Sequence, residues 1–320
     1  MKKVLVQVLA CAAALVAGAA QAQPFPGKPI RILIPFTAGG TNDILARTLG
    51  PKLGEALGQT VIVDNRPGGN TVIASQALLA ADKDGHTLLL PGNSHVVVPH
   101  LTKTPLPFDS IRDFQPVATL ARTGLFLVVT PSLPANDLKE FIALAKSKPG
   151  ALNSAAPGGS INQLATEMFN SVAGVKLIHI PYKGAAPAMA DVMAGQAQLS
   201  FQTPATVLGN LKGGRVRALA ISGPTPFADP KVPTFAQAGL PGFDVDLWFG
   251  LLAPGGTPRP IVDRLSAEVN KIIQSADFRE KVAAQGLEVF VSTPEQYGAA
   301  LRAESEKFAR IIKAAGIEPQ

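Results

Sequence analysis

Short apolar runs alternate with segments of helical period along almost the whole chain, and this alternation most limits what the chain can fold into. Residues 30–36 read as a buried strand, and in 43–57 Leu45, Leu49, Leu53 and Leu57 recur at four-residue spacing on one helix face. Gly50-Pro51 interrupts that helix and predicts a kink or break there. Residues 61–63 and 88–90 continue as strands around a helix at 72–80, and 65–69 form a turn rich in Gly and Pro. The middle of the chain repeats the theme. Strands are expected at 125–129, 177–180, 199–201 and 217–221, and helices at 137–146, 161–172 and 188–193. A strand at 249–252 and helices near 261–274, 278–284 and 294–315 complete the pattern. Strands alternating with helices imply an α/β protein with open, mixed, mostly parallel sheets and helices on both faces. A length of 320 residues exceeds what one core usually serves, so two lobes are expected. At 47% hydrophobic and 16% charged residues, the chain is too apolar for a disordered protein and too weakly charged for a coiled coil.

The first residues fall outside this pattern. Lys2 and Lys3 precede an apolar run of small residues over 4–18, and Ala20-Gln21-Ala22 forms an A-x-A site. This is a secretory signal peptide, with cleavage expected after Ala22 and a mature chain beginning at Gln23. The run is short for a membrane anchor. Cys11, the single cysteine, lies inside it behind Val8-Leu9-Ala10, a poor lipoprotein motif. Cleavage leaves a cysteine-free chain with no thiol nucleophile and no zinc–thiolate site, which suits a large periplasmic protein. No other segment is apolar for long enough to span a bilayer.

The formal charge is +6, spread along the chain, with the densest basic group at 139–148 on a helix face. Nucleic-acid binding calls for clustered Lys and Arg with interleaved aromatics, so no nucleic-acid partner is expected. A weak positive field favours small anions.

Three polar, glycine-bearing loops follow expected strands, where ligands bind in open α/β sheets. The first supplies Phe36, Thr37, Gly39, Gly40, Thr41 and Asn42; the second Asn93, Ser94 and His95. The third, a small-residue loop over 154–162, supplies Ser154, Ala155, Gly159, Ser160 and Asn162. Gln202 and Thr203, just after the strand 199–201, join these candidate ligand contacts. Helix N-termini present unpaired N–H groups to an anion, and glycines let the backbone approach it. The competing reading makes Thr41, Asn42 and Ser160 ordinary helix caps. Trp248 reads either as core or as a lid over a pocket. The sequence has no G-x-S-x-G elbow, no H-E-x-x-H and no Gly-Lys-Ser/Thr phosphate loop. His95 and His100 lie in a Pro-bounded loop, and Asp82/Asp84 and Asp244/Asp246 continue into no calcium loop. No catalytic residue, metal or cofactor is therefore expected.

The same loops carry a family resemblance. Pro35-Phe36, Gly39-Gly40 and Asp43 form one motif, followed by Asp64-Asn65-Arg66-Pro67-Gly68-Gly69-Asn70 and Asp84-Gly85-His86-Thr87-Leu88-Leu89. Ile180-Pro181-Tyr182-Lys183-Gly184, Gly213-Gly214-Arg215-Val216-Arg217-Ala218-Leu219 and Trp248-Phe249-Gly250-Leu251-Leu252-Ala253-Pro254 come in the same order. As an ordered set the chain resembles the substrate-binding proteins of tripartite tricarboxylate transporters, the Bug receptors. The resemblance implies a two-lobed periplasmic binding protein of type II, a Venus flytrap. Residues 23–123 and 247–320 would form lobe 1 and 124–246 lobe 2. It further implies a monomeric, non-enzymatic receptor that holds a small organic acid between the loops and delivers it to membrane permease subunits; a periplasmic sensing role is the alternative. Three features depart from the family pattern: Gln163 replaces a frequent His, the loop at 153–157 is one residue shorter, and Pro51 stands in the first helix.

Overall fold

Ile30–Ile34 (β1) is buried on both faces apart from Arg31, as a strand covered by helices on both sides must be. In the computed structural model, which describes residues 25–223, 226–227, 231–243, 245–314 and 316–319, β1 lies inside a six-stranded sheet. The expectations on the signal peptide lie outside the described residues. Val61–Asn65 (β2) and Thr87–Leu89 (β3) flank β1 in parallel. Asp246–Pro254 (β10) runs antiparallel to β3 and to Phe114–Gly124 (β4), and Glu288–Val289 (β11) closes the far edge.

The second sheet has five strands. Asn153–Pro157 (β6) pairs in parallel with Ile178–Tyr182 (β7) and Leu199–Gln202 (β8). Phe126–Val129 (β5) runs antiparallel to β8 and to Arg217–Ile221 (β9). The chain passes from the first sheet to the second between Gly124 and Phe126 and returns ahead of Asp246. The architecture is two-lobed, α/β and mixed, but parallel pairing does not dominate as expected. Each sheet carries three parallel strands, and the strands next to the two crossings reverse direction.

Helix Thr41–Leu57 (α1) buries Leu45, Leu49 and Leu53 and ends at Gly58, whose left-handed φ of 68° suits glycine. Pro51 does not break it. That residue sits on the solvent face, so water can serve the Arg47 carbonyl that proline leaves without a donor. Val72–Leu79 (α2) follows, and Ser94–Leu101 (α3) replaces the loop expected around His95 and His100. In the second lobe, Leu138–Ser147 (α4) is capped by Asp137, which accepts from Glu140 N at 2.8 Å. Ile161–Ala173 (α5), Ala185–Met193 (α6) and Pro204–Lys212 (α7) follow. Their core is a cluster of Phe141, Phe169, Phe201, Phe235 and Phe243. Arg259–Ile273 (α8), Ala276–Ala283 (α9) and Pro294–Ala314 (α10) return to the first sheet. Trp248 packs edge-on against Tyr297 in that core, 5% exposed, which decides against a lid.

The loop expected over 154–160 is mostly β6. Its Ser and Ala residues have low strand propensity, yet the position between β7 and β8, beneath α5 and α6, admits only small side chains.

Candidate functional site

Five strands of the two sheets end at one place, and each hands over there to a helix. The first turns of those helices line a single cavity. Gly40 caps α1, which Thr41 and Asn42 begin; Asn93 caps α3, which Ser94 begins; and Ile161 and Asn162 begin α5. Ala185 opens α6, and Thr203 and Thr206 belong to the start of α7. Phe36, Pro157, Leu247 and Phe249 add apolar wall. No Lys, Arg, His, Asp or Glu is among the lining residues. Charge selectivity in this space therefore rests on the backbone N–H groups and dipoles of the helix starts.

The lobes meet closely around it. Thr41 Oγ1 and Thr203 Oγ1 share a 2.5 Å hydrogen bond across the cleft, and Ile161 N donates to Ser94 Oγ at 3.4 Å. The space between them is about 40 Å³, room for little more than one or two waters, so a larger guest enters only as the lobes separate.

Buried side chains hold the wall in place. Asp43 Oδ2 accepts from Gly39 N at 3.0 Å, and Arg47 clamps both carboxylate oxygens. Burial pushes the Asp43 carboxyl up, but Arg47, the Gly39 N–H and Asn65 outweigh it and leave it below the usual carboxylate range. Asn65 Nδ2 donates to Phe36 O at 3.1 Å, fixing the other end of the loop. Asn93 ties lobe 1 to the returning strand: its Oδ1 accepts from Trp248 N at 2.7 Å, while its Nδ2 donates to Asp246 O and Glu304 Oε2. Gln202 is spent within lobe 2, donating to Ser200 Oγ and accepting from Thr206 Oγ1.

Nine expected contacts stand on this wall: Phe36, Gly40, Thr41, Asn42, Asn93, Ser94, Asn162, Gln202 and Thr203. Seven do not. His95 is one position round α3 from Ser94 and points into lobe 1, where it meets Ser110 O at 2.6 Å and the Phe114 ring. Ser154 and Ala155 are interior strand residues, and the Ser154 hydroxyl bonds Thr166 Oγ1 at 2.8 Å. Gly159 N donates to Gln163 Oε1, and Ser160 Oγ accepts from Gln163 N, a reciprocal cap of α5. Gly39 makes the left-handed turn that lets its N–H reach Asp43. Thr37 leaves the cavity to pack against Gly184 at the head of α6. Ser160→Ala is therefore expected to lower stability by about 1 kcal/mol with ligand affinity nearly unchanged, checked by thermal melting and calorimetry.

Sequence reasoning missed eight lining residues: Pro91, Gly92, Pro157 and Ile161 beside the chosen loops, and Ala185, Thr206, Leu247 and Phe249 away from them. Tyr182-Lys183-Gly184 follows a strand and opens a helix just as the three chosen loops do, and Thr203-Pro204 is a helix-start signal. Leu247 and Phe249 point the same way because strand side chains alternate.

A cage of N–H groups with apolar walls suits one anionic group on a small organic molecule. The profile of the "Tripartite tricarboxylate transporter family receptor" matches residues 45–317. The chain belongs to that family. The Bordetella pertussis "Protein BugT" is 35% identical over 311 residues, covering 95% of this chain and 94% of BugT. A solved R. palustris structure "with adipate" superposes with a TM-score of 0.88 at 32% identity, covering 92% of this chain and all of that one (100%). MatC from Rhodopseudomonas palustris, "with bound malate", superposes at 0.86 and 29% identity, with 90% and 100% covered. This tripartite tricarboxylate transporter family receptor thus has the fold of the periplasmic solute-binding proteins. Among its described residues no helix is long and apolar enough to cross a membrane.

Proposed function

We propose that the cavity captures the carboxylate of a small organic acid as the lobes close, and that the closed form hands it to the membrane subunits of a tripartite transporter. The observation that carries this reading is the meeting of five helix first turns at one space without a charged side chain. In this reading residues 23–123 and 247–320 move as lobe 1 and 124–246 as lobe 2, the receptor acts as a monomer without catalysis, and the exported chain begins at Gln23. The contacts are proposed at Thr41, Asn42, Asn93 and Ser94 from one side and at Asn162, Gln202 and Thr203 from the other. Adipate in one neighbour and malate in another support an aliphatic acid of similar size.

The test compares acids with their uncharged amides by calorimetry. Acids should bind at least ten-fold more tightly, since hydrogen bonds to a charged group are worth about 1.5–3 kcal/mol. Affinity should also fall as the pH drops through the pKa of the acid itself, because only the anion complements the N–H groups. Equal binding of amide and acid would count against the proposal. N-terminal sequencing of periplasmic protein checks the cleavage after Ala22.

A further inference from the structure

Two of the three asparagines on the cavity wall, Asn42 and Asn162, one from each lobe, are bonded in the same sense. Asn42, only 7% exposed, donates its Nδ2 to Leu90 O at 2.8 Å. Asn162 donates its Nδ2 to Phe201 O at 2.6 Å. A backbone carbonyl can only accept, so each bond identifies the bonded atom as the amide nitrogen and leaves Oδ1 as an acceptor. Among the described residues neither Oδ1 receives a donor. The other polar side chains on the wall already have partners: Asn93 and Gln202 at both ends of their amides, Thr41 with Thr203, Thr206 with Gln202, and Ser94 with the Ile161 N–H. The cavity thus combines N–H donors from the helix turns with two amide acceptors, and a plain carboxylate satisfies only the donors.

We infer that the ligand is a hydroxylated carboxylate whose hydroxyl groups donate to Asn42 Oδ1 and Asn162 Oδ1. The inference rests on the proposed carboxylate site and adds its selectivity. A hydroxyl fits better than an ammonium group. An ammonium would sit among five positive helix ends with no carboxylate on the wall to balance it. A site built to bond a substrate hydroxyl rejects the analogue lacking it, because its own acceptors then stay unpaired.

The experiment uses the full mature receptor and two sets of probes measured by calorimetry: succinate, malate, tartrate and aspartate; and propanoate, lactate, glycerate and alanine. Amides of succinate and propanoate complete the panel. In the set that fits, each hydroxyl should raise affinity about ten-fold, and the amino acid should bind more weakly than its hydroxy counterpart. Asn162→Leu should reduce the gain from hydroxyls to less than three-fold, read as the ratio of hydroxy to deoxy acid within the same variant. Asn42→Ser, read beside its melting temperature, repeats the test from the other lobe. Deoxy and hydroxy acids within three-fold of one another, with acids still preferred over amides, would overturn this inference and leave the carboxylate reading standing. Tightest binding by the amino acid would overturn it too. Amides equal to acids, or no binding by any acid, would overturn both.

Discussion

Replacing Gly184 with alanine lowers ligand affinity by roughly ten- to a hundred-fold while the melting temperature stays nearly unchanged. Gly184 heads α6 in lobe 2 and rests directly on Thr37 of the β1–α1 loop in lobe 1. A Cβ there would lie 2.9 Å from the Thr37 backbone nitrogen and closer still to its hydroxyl. The backbone at Gly184 is extended, with φ of 178°, so alanine brings no strain within its own lobe. The added methyl therefore opposes only the closed arrangement. Overpacking of this kind costs about 1–3 kcal/mol, and apparent affinity falls by the fraction of closed form that is lost. Calorimetry and small-angle scattering check the result, the latter showing a more open particle. Thr37→Gly combined with Gly184→Ala should recover part of the affinity. A variant that melts early with normal affinity would show that Gly184 serves its own lobe instead.

His95 predicts the largest acid sensitivity. Burial lowers its pKa to about 4, since the enclosed ring disfavours a positive charge; the hydrogen bond to Ser110 O pulls the other way and is outweighed. The Ser110 carbonyl can only accept, so Nε2 carries the proton, and Nδ1 is buried with no partner. The folded pKa lies below the unfolded value near 6.5. The unfolded chain therefore takes up a proton first as pH falls. The neutral imidazole contributes fully above about pH 6.5, and that contribution drains away between 6.5 and 4. It amounts to about 3 kcal/mol at the lower end. His95→Gln keeps a donor for Ser110 O and cannot titrate. Its melting temperature should change less between pH 7 and 4.5 than that of the parent by a margin of several degrees. An identical loss in both proteins would remove His95 as the cause.

The alternation of apolar runs made the two-lobed α/β architecture legible, because burial on both faces leaves a direct mark on β1, β5 and their helices. What the sequence hid depended on neighbours distant along the chain. Residues 153–157 look like a loop because Ser and Ala have little strand propensity, and only the close overlying helices explain their size. The antiparallel share of each sheet follows from where the chain crosses between lobes, which no local pattern records. The site shows the same division. Thr41 and Asn42 were readable as a helix start after a strand, and Asn93 and Thr203 as polar positions just beyond strands. His95 and Ser160 looked equally suitable, since polarity near a helix start does not say whether a side chain faces the ligand, the core or its own backbone. The family resemblance, carried by glycines and prolines at turns, supplied the convergence of the loops that local reading could not.

The placement of β10 bears on how the molecule assembles. In the six-stranded sheet β3 and β4 are not neighbours; β10 lies between them and pairs with both. The first 124 residues thus contain four strands that cannot close into one sheet by themselves. The five-stranded sheet, in contrast, is continuous in sequence from β5 to β9 and takes no strand from outside that span. The interior lobe is therefore the natural first cooperative unit, and the terminal lobe waits for residues 246–254 to insert and for α8 and α10 to cover them. A chain interrupted before residue 246 would hold one finished half and one open sheet with an unpaired, aggregation-prone edge.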